Sequence, residues 1–179
     1  MDMREKKIDG KVIFEGHVVK VELDDVLCPN GNKSKREIVR HNGGAAILCV
    51  TPDNKILLEK QYRYAYDEVI YEIPAGKLEK GENPYNAAIR ELEEETGYKA
   101  KELTHLIDCY PTCGYSSEVI HIYLALNTEK THTHFDDDEI IETYLFSIDE
   151  IKQMILNGEI KDAKTIVALT CYLMKNKQI

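Results

Sequence analysis

Glu91, Glu94 and Glu95 stand at offsets of three and four, so a helix through them sets three carboxylates on one face. Carboxylates that close repel one another unless a cation lies among them, and a hard divalent ion with oxygen ligands is the chemistry such a set serves. Ala87 falls on the same face, where a small side chain would leave room for a ligand. A glutamate run can also be no more than a solvated helix face, so the flanking residues have to decide. Arg63 is a second candidate. The chain carries a formal net charge of -9, and an acidic protein that handled an anionic substrate would need placed cations; arginine offers bidentate phosphate geometry.

The elements that must position these residues are legible in outline. Asn83-Pro84 is a helix start, with Asn as N-cap and Pro at the first helical position. Tyr85, Ala88, Ile89 and Leu92 form the apolar stripe that docks this helix, and Gly97 suits a left-handed residue just past its end. The preceding Gly76 to Glu82 (GKLEKGE) is expected as a loop that brings backbone carbonyls and Glu82 near the helix.

Upstream, residues 11–27 alternate apolar and polar positions well enough for one or two strands, and Pro29-Asn30-Gly31-Asn32 turns the chain into a returning strand at Lys35 to His41. Gly44 to Val50 is a nearly continuous apolar run, expected as a strand buried on both faces. Lys55 to Tyr62, Val69 to Ile73, Leu103 to Tyr110, Val119 to Leu126 and Ile140 to Phe146 are further strands. Ser147 with Glu150 three residues on is a capping-box signature, and Asp162 is an N-cap for Ala163 to Lys175. Strands first, one helix among them and helices last predict an α+β layered domain with a mixed sheet.

At 179 residues the chain is large enough for a real core. The acidic balance argues against nucleic acid as a partner. The start MDMREKKIDG has no apolar h-region and no run approaches the ~18 apolar residues of a membrane span, so neither a secretory signal nor a membrane association is expected. Five scattered cysteines without a CxxC pair predict a reduced, cytoplasmic protein with mostly buried thiols. His132 and His134 form an HxH pair but are expected as loop residues, because a zinc site would need further ligands.

The spacing around the glutamates is specific. Gly76, Glu82, Arg90-Glu91-Leu92, Glu94-Glu95 and Gly97-Tyr98 match Gly-x5-Glu-x7-Arg-Glu-U-x-Glu-Glu-x-Gly-U, with U apolar and Tyr98 aromatic where an aliphatic residue is commoner. This stretch, 76–98, resembles the Nudix box. Beyond it, SKREIVRHNGGAAIL, LEKQYRY, EIPAGKLEKGE, PTCGYSSE and DAKTIVAL resemble the bacterial ADP-ribose pyrophosphatases of the Nudix superfamily.

That resemblance implies an α/β/α sandwich over 43–179, preceded by an N-terminal antiparallel β region at 1–42 that serves a homodimer and part of the substrate site. It implies hydrolysis of a nucleoside diphosphate sugar with Mg2+, or Mn2+ in its place. The ions would polarise the phosphoryl oxygens, neutralise the diphosphate and help generate a hydroxide nucleophile. On the matching positions, Glu91 and Glu95 become the principal metal ligands with the Ala75 carbonyl. Glu94 and Arg90 join the catalytic set, while Gly76, Glu82 and Gly97 support it.

The same resemblance puts Arg36 and Glu37 at the nucleoside end of the substrate, Arg63 at a phosphate and Glu118 near the terminal ribose. Adjacent strand residues point to opposite faces, so Arg36 and Glu37 serve one site only where the strand twists or two chains meet. The general base is expected from the acidic run 136–139, with Glu139 first and Asp138 second, the latter as a metal ligand. ADP-ribose-specific members carry a proline in a turn after the box; Cys113 holds that position here, with Pro111 two residues earlier. The expected reaction is cleavage of ADP-ribose to AMP and ribose 5-phosphate. The alternatives are another nucleotide sugar as substrate, or a non-catalytic module that senses ADP-ribose.

Overall fold

The computed structural model describes residues 2–133 and 140–178. The chain forms two compact units, Met1–Gly43 with Tyr110–Val119, and Gly44–Cys109 with Ile120–Ile179.

The first unit is an antiparallel sheet of β1 (Lys6–Glu15), β2 (Lys20–Leu27) and β3 (Lys33–Arg40), with β2 in the middle. The β2–β3 hairpin closes where Cys28 N–H donates to Asn32 O at 2.8 Å, with Gly31 at φ 86° inside the turn. β1 begins at Lys6, earlier than alternation in the sequence suggests, because pairing with β2 rather than its own apolar period makes it a strand. The 110–119 segment joins this unit through β3, where Val39 N–H donates to Tyr115 O and Val39 O accepts from Ser117 N–H, both at 2.9 Å.

The second unit contains β4 (Gly44–Cys49), β5 (Ile56–Arg63), β6 (Glu68–Glu72), β7 (Ala75–Lys77), α1 (Pro84–Thr96), β8 (Tyr98–Lys99), β9 (Leu103–Cys109), β10 (Ile120–Ala125), β11 (Glu129–Lys130), β12 (Ile141–Phe146), α2 (Ile148–Leu156) and α3 (Ala163–Lys175). A mixed sheet runs β7-β4-β10-β9, with β4 and β10 parallel and the other pairs antiparallel. An antiparallel sheet runs β12-β5-β6, and β8 pairs with β11.

The continuous apolar run of β4 is what makes this a sandwich. Ala45, Ile47 and Cys49 join Ala88 and Leu92 of α1 in one core, while Ala46 and Leu48 join Leu169 and Tyr172 of α3 and Ile151 of α2 in another. Each fully buried Ile or Leu here contributes about 1.5–3 kcal/mol. The expected α+β class, with helices on both faces of a mixed sheet, is therefore the observed one.

The caps follow their local signals. Asn83 accepts from Tyr85 N–H ahead of α1, Ser147 and Glu150 form the capping box of α2, and Asp162 accepts from Thr165 N–H at the start of α3. Gly97 ends α1 at φ 64°. Two local expectations are corrected. The segment expected as a loop from Gly76 opens as β7, because its backbone pairs with β4. Of the cysteines, Cys49 and Cys109 are buried, Cys28 and Cys171 are half-buried and Cys113 is exposed, so the cysteines are not mostly buried.

Candidate active site

Helix α1 does not turn its glutamate face to solvent. Glu95 is 3 % exposed, and its Oε2 accepts from the Ala75 N–H of β7 at 3.0 Å. Glu91 lies over Gly76, where a Cβ would collide with its carboxylate. The glycine is required by this close approach, not by a special φ. The inward turn also corrects the expectation for Ala87: it is fully buried among Ala88, Leu92 and Ala45, so it packs the helix and leaves no ligand space.

Arg90 ties the carboxylates together. Its Nη1 lies 2.8 Å from Glu91 Oε1 and 2.9 Å from Glu94 Oε2, and its Nη2 lies 3.4 Å from Glu82 Oε1. Burial works against the charge of this guanidinium, yet Glu91 and Glu94 hold its pKa above the ordinary arginine value. Glu82 also accepts from Glu79 N–H at 3.0 Å, which folds the 79–82 turn towards the helix start. The box residues Gly76, Glu82, Arg90, Glu91, Glu94 and Glu95 thus converge, with Gly97 closing the helix and Ala75 beside Glu95.

The strand that presents Ala75 is pinned along its length. Pro74 O accepts from Ile47 N–H and Ile73 N–H donates to Thr165 Oγ1, both at 2.9 Å. Before it, Glu72 is 1 % exposed and receives two bonds of 2.8 Å from Arg63, together with the Lys164 ammonium. Lys164 also lies 3.1 Å from Asp162. Burial works against the charge of Lys164, yet the carboxylates beside it hold its pKa above the ordinary lysine value, Glu72 foremost and Asp162 next. Sequence reasoning noted Asp162 as a cap and Arg63 as a phosphate ligand but missed Glu72, Lys164 and Thr165. These residues fall in the EIPAGKLEKGE and DAKTIVAL segments that carry the resemblance, but residues 63, 72 and 164 meet through the fold alone.

The remaining candidates are placed as follows. Arg36, half-buried on β3, pairs with Glu5, its Nε 2.9 Å from Glu5 Oε2, while Glu37 faces solvent. Glu118 lies 3.5 Å from His41 Nδ1 and its N–H donates to Ser116 Oγ. All three candidates belong to the first unit. Asp138 and Glu139 lie outside the described residues, as does His134.

The donor set around Glu91, Glu94, Glu95 and the Ala75 carbonyl is entirely oxygen, with one guanidinium among the carboxylates and a cradle at Gly76 that a methyl group would fill. That chemistry fits a hard divalent cation and not a soft one.

Comparison with known proteins agrees. The NUDIX domain family model matches residues 21–169. The chain is 46% identical over 167 residues to a methanol dehydrogenase activator of Bacillus methanolicus, covering 92% of this chain and 90% of that protein. It is 42% identical over 175 residues to an ADP-ribose pyrophosphatase of Bacillus subtilis, covering 97% and 95%. The solved structure of an ADP compounds hydrolase superposes with a TM-score of 0.85 at 21% identity, covering all of both chains, a likeness of fold. With the box intact, its residues assembled and most of its length matched, the chain belongs to the NUDIX domain family.

Proposed function

We propose that this protein is a magnesium-dependent ADP-ribose pyrophosphatase, cleaving the diphosphate to AMP and ribose 5-phosphate. The observation that carries the reading is the Glu91–Gly76 and Glu95–Ala75 seating of α1, which aims an oxygen-rich set at one end of β7. The 42% identity to an ADP-ribose pyrophosphatase supports the choice of substrate.

Glu91, Glu95 and the Ala75 carbonyl would hold Mg2+, with Mn2+ as a substitute, and Asp138 would add a ligand. When bound, the ion neutralises the diphosphate and polarises its oxygens. Arg90 keeps Glu91 and Glu94 in place, and Glu82 steadies Arg90. Arg63, held by Glu72 with 38% of its side chain exposed, keeps a charged edge for a phosphate oxygen. Glu139 takes the proton of the attacking water, the new P–O bond forms, and the bridging P–O bond breaks. Arg36 and Glu37 would receive the nucleoside end and Glu118 the terminal ribose.

A homodimer is supported by the apolar side chains that β1 and its turn leave exposed, Ile8, Val12, Ile13, Phe14 and Val18, on residues assigned to an N-terminal β region at 1–42. Five scattered cysteines without a CxxC pair support a cytoplasmic location. Among the described residues no helix is long and apolar enough to cross a membrane.

The test is a panel of nucleoside diphosphate derivatives in magnesium and ¹⁸O water. ADP-ribose should give the highest kcat/KM, with label in one product only. A better rate on another nucleotide sugar overturns the substrate, and tight ADP-ribose binding without product overturns the hydrolase in favour of a sensor. Glu139→Gln should lower kcat by about 10²–10⁴-fold with magnesium binding retained; near-native turnover removes it as base. The 46% identity to a methanol dehydrogenase activator favours a second reading, in which the same domain activates such a dehydrogenase. Adding the chain to methanol dehydrogenase, with and without Glu95→Gln, separates the two.

A further inference from the structure

We propose a second metal site, built from His105, Asp108 and His121 and suited to a transition metal of the zinc type. Asp108 Oδ1 lies 2.8 Å from both His105 Nε2 and His121 Nδ1. One donor atom from each of the three residues lies within 4.8 Å of the others.

The arrangement depends on a defect in the sheet. Residues three apart on a regular strand face opposite ways. In β9 the register with β10 slips between Ile122 and Tyr123, whose partners are Ile107 and His105, so Leu106 is an extra residue. Leu106 and Ile107 both pack towards the α3 core. His105 and Asp108 are thereby turned to the other face together, where Asp108 sits opposite His121 in register. Bulges of this kind re-aim side chains and concentrate beside functional sites. The His105 ring is further set by an edge contact with Tyr123, centroids 5.6 Å apart.

Two imidazoles and a carboxylate form a three-ligand set with room for water or a substrate atom in the fourth place. Tetrahedral zinc with bonds near 2.1 Å would space its ligands by roughly 3.3 Å, which small side-chain rotations from the present positions reach. Both imidazoles would then turn a lone pair to the ion and carry their proton on the other nitrogen. All three side chains are at least partly open to solvent, so an ion has an entry path.

This ion would not be shared with the glutamates. Gly76, Ala45, His121 and Asp108 are successive partners across β7, β4, β10 and β9. Strand spacing puts His121 about 10 Å from Gly76 along that row. Nitrogen ligands also favour zinc, nickel or copper, while the all-oxygen glutamate set favours magnesium.

The experiment is equilibrium dialysis of the chelator-stripped full chain against Zn2+ in excess Mg2+, together with the visible absorption of Co2+ as substitute. The wild type and a Glu91→Gln/Glu95→Gln variant should each retain about one zinc and show tetrahedral cobalt bands. His121→Ala should lose more than about 10-fold in zinc affinity, and His105→Ala, at an exposed edge position, should do the same should the first variant fold poorly. Zinc retained equally by both histidine variants, zinc lost in the glutamate variant, or none held by the wild type each overturns the site and leaves the triad a hydrogen-bonded surface cluster.

Discussion

Two groups of clustered charges in the second unit are built on opposite plans. Around α1, Glu82, Glu91 and Glu94 share the guanidinium of Arg90, and Glu95 lies beside them on the Ala75 N–H. Around β6 and α3, Glu72 and Asp162 are met by Arg63 and Lys164, with Glu59 paired opposite Glu72 in register. The second group is close to charge balance and carries short, mutual contacts; the first keeps a surplus of negative charge. A folded chain tolerates clustered like charge at a cost, so a surplus suits the recruitment of a cation, while a balanced group suits a fastening. The two meet along one strand. Glu72 is fastened from behind, and the residues that follow it deliver Ala75 and Gly76 to the glutamates.

The largest effect should come from the surplus side. Glu95→Gln keeps an acceptor for the Ala75 N–H but removes the charge of the proposed ligand. Hydrolysis should fall by more than about 100-fold, beyond the loss typical of a supporting residue, with urea stability unchanged or improved. Magnesium titrations that match wild type would break the comparison. Gly76→Ala sharpens it. The backbone there suits alanine, and the Glu91 carboxylate can swing aside, so melting should barely shift while activity drops about 100-fold from a misplaced ligand. Retained activity would show that the glycine cradle is unimportant.

The fastening side should respond the other way. Lys164→Met leaves Glu72 buried with Arg63 but without its ammonium, and stability in urea should fall by about 3 kcal/mol. A smaller loss in stability than in kcat would mean the group is catalytic rather than structural. The pH dependence carries the same signature. Lys164 has a pKa raised above its ordinary value, with burial opposing and Glu72 foremost in favour, and burial pushes the Cys49 thiol up from 9.0 to about 11. A raised folded-state pKa gives stability that is present below the unfolded value and lost as pH rises through the folded one. Melting temperature should therefore hold through pH 8 and decline from about pH 9 upwards. A flat profile to pH 11 would remove Cys49 as a contributor. The smallest effect is local: Asn83→Ala should cost about 1 kcal/mol at the start of α1, read by urea unfolding, and a neutral result would show the cap is replaced by solvent.

Much of this was legible in the chain because it is encoded within a few residues. Offsets of three and four place Glu91, Glu94 and Glu95 together, Asn83-Pro84 and Gly97 bound the helix, and Ser147-Glu150 and Asp162 start the later helices. The apolar run of β4 announced a strand with a core on each side. These signals are properties of helix pitch, cap geometry and strand alternation, which need no knowledge of distant partners. Where the helix faces is not of that kind. Ala87 looked like space beside a ligand and is core packing, because the docking of α1 on β4 and β7 turned the glutamate face inward.

The sequence by itself determined the family and the order of elements around the box. Tertiary structure alone decided that Gly76 is small for the sake of Glu91, that Arg63 is anchored by Glu72, which Lys164 also meets, and that a bulge sets His105 beside Asp108 and His121. Each of those depends on strand register and on residues far apart in the chain. A one-residue slip would turn every such side chain to the other face, and no local spacing records which register the sheet adopts.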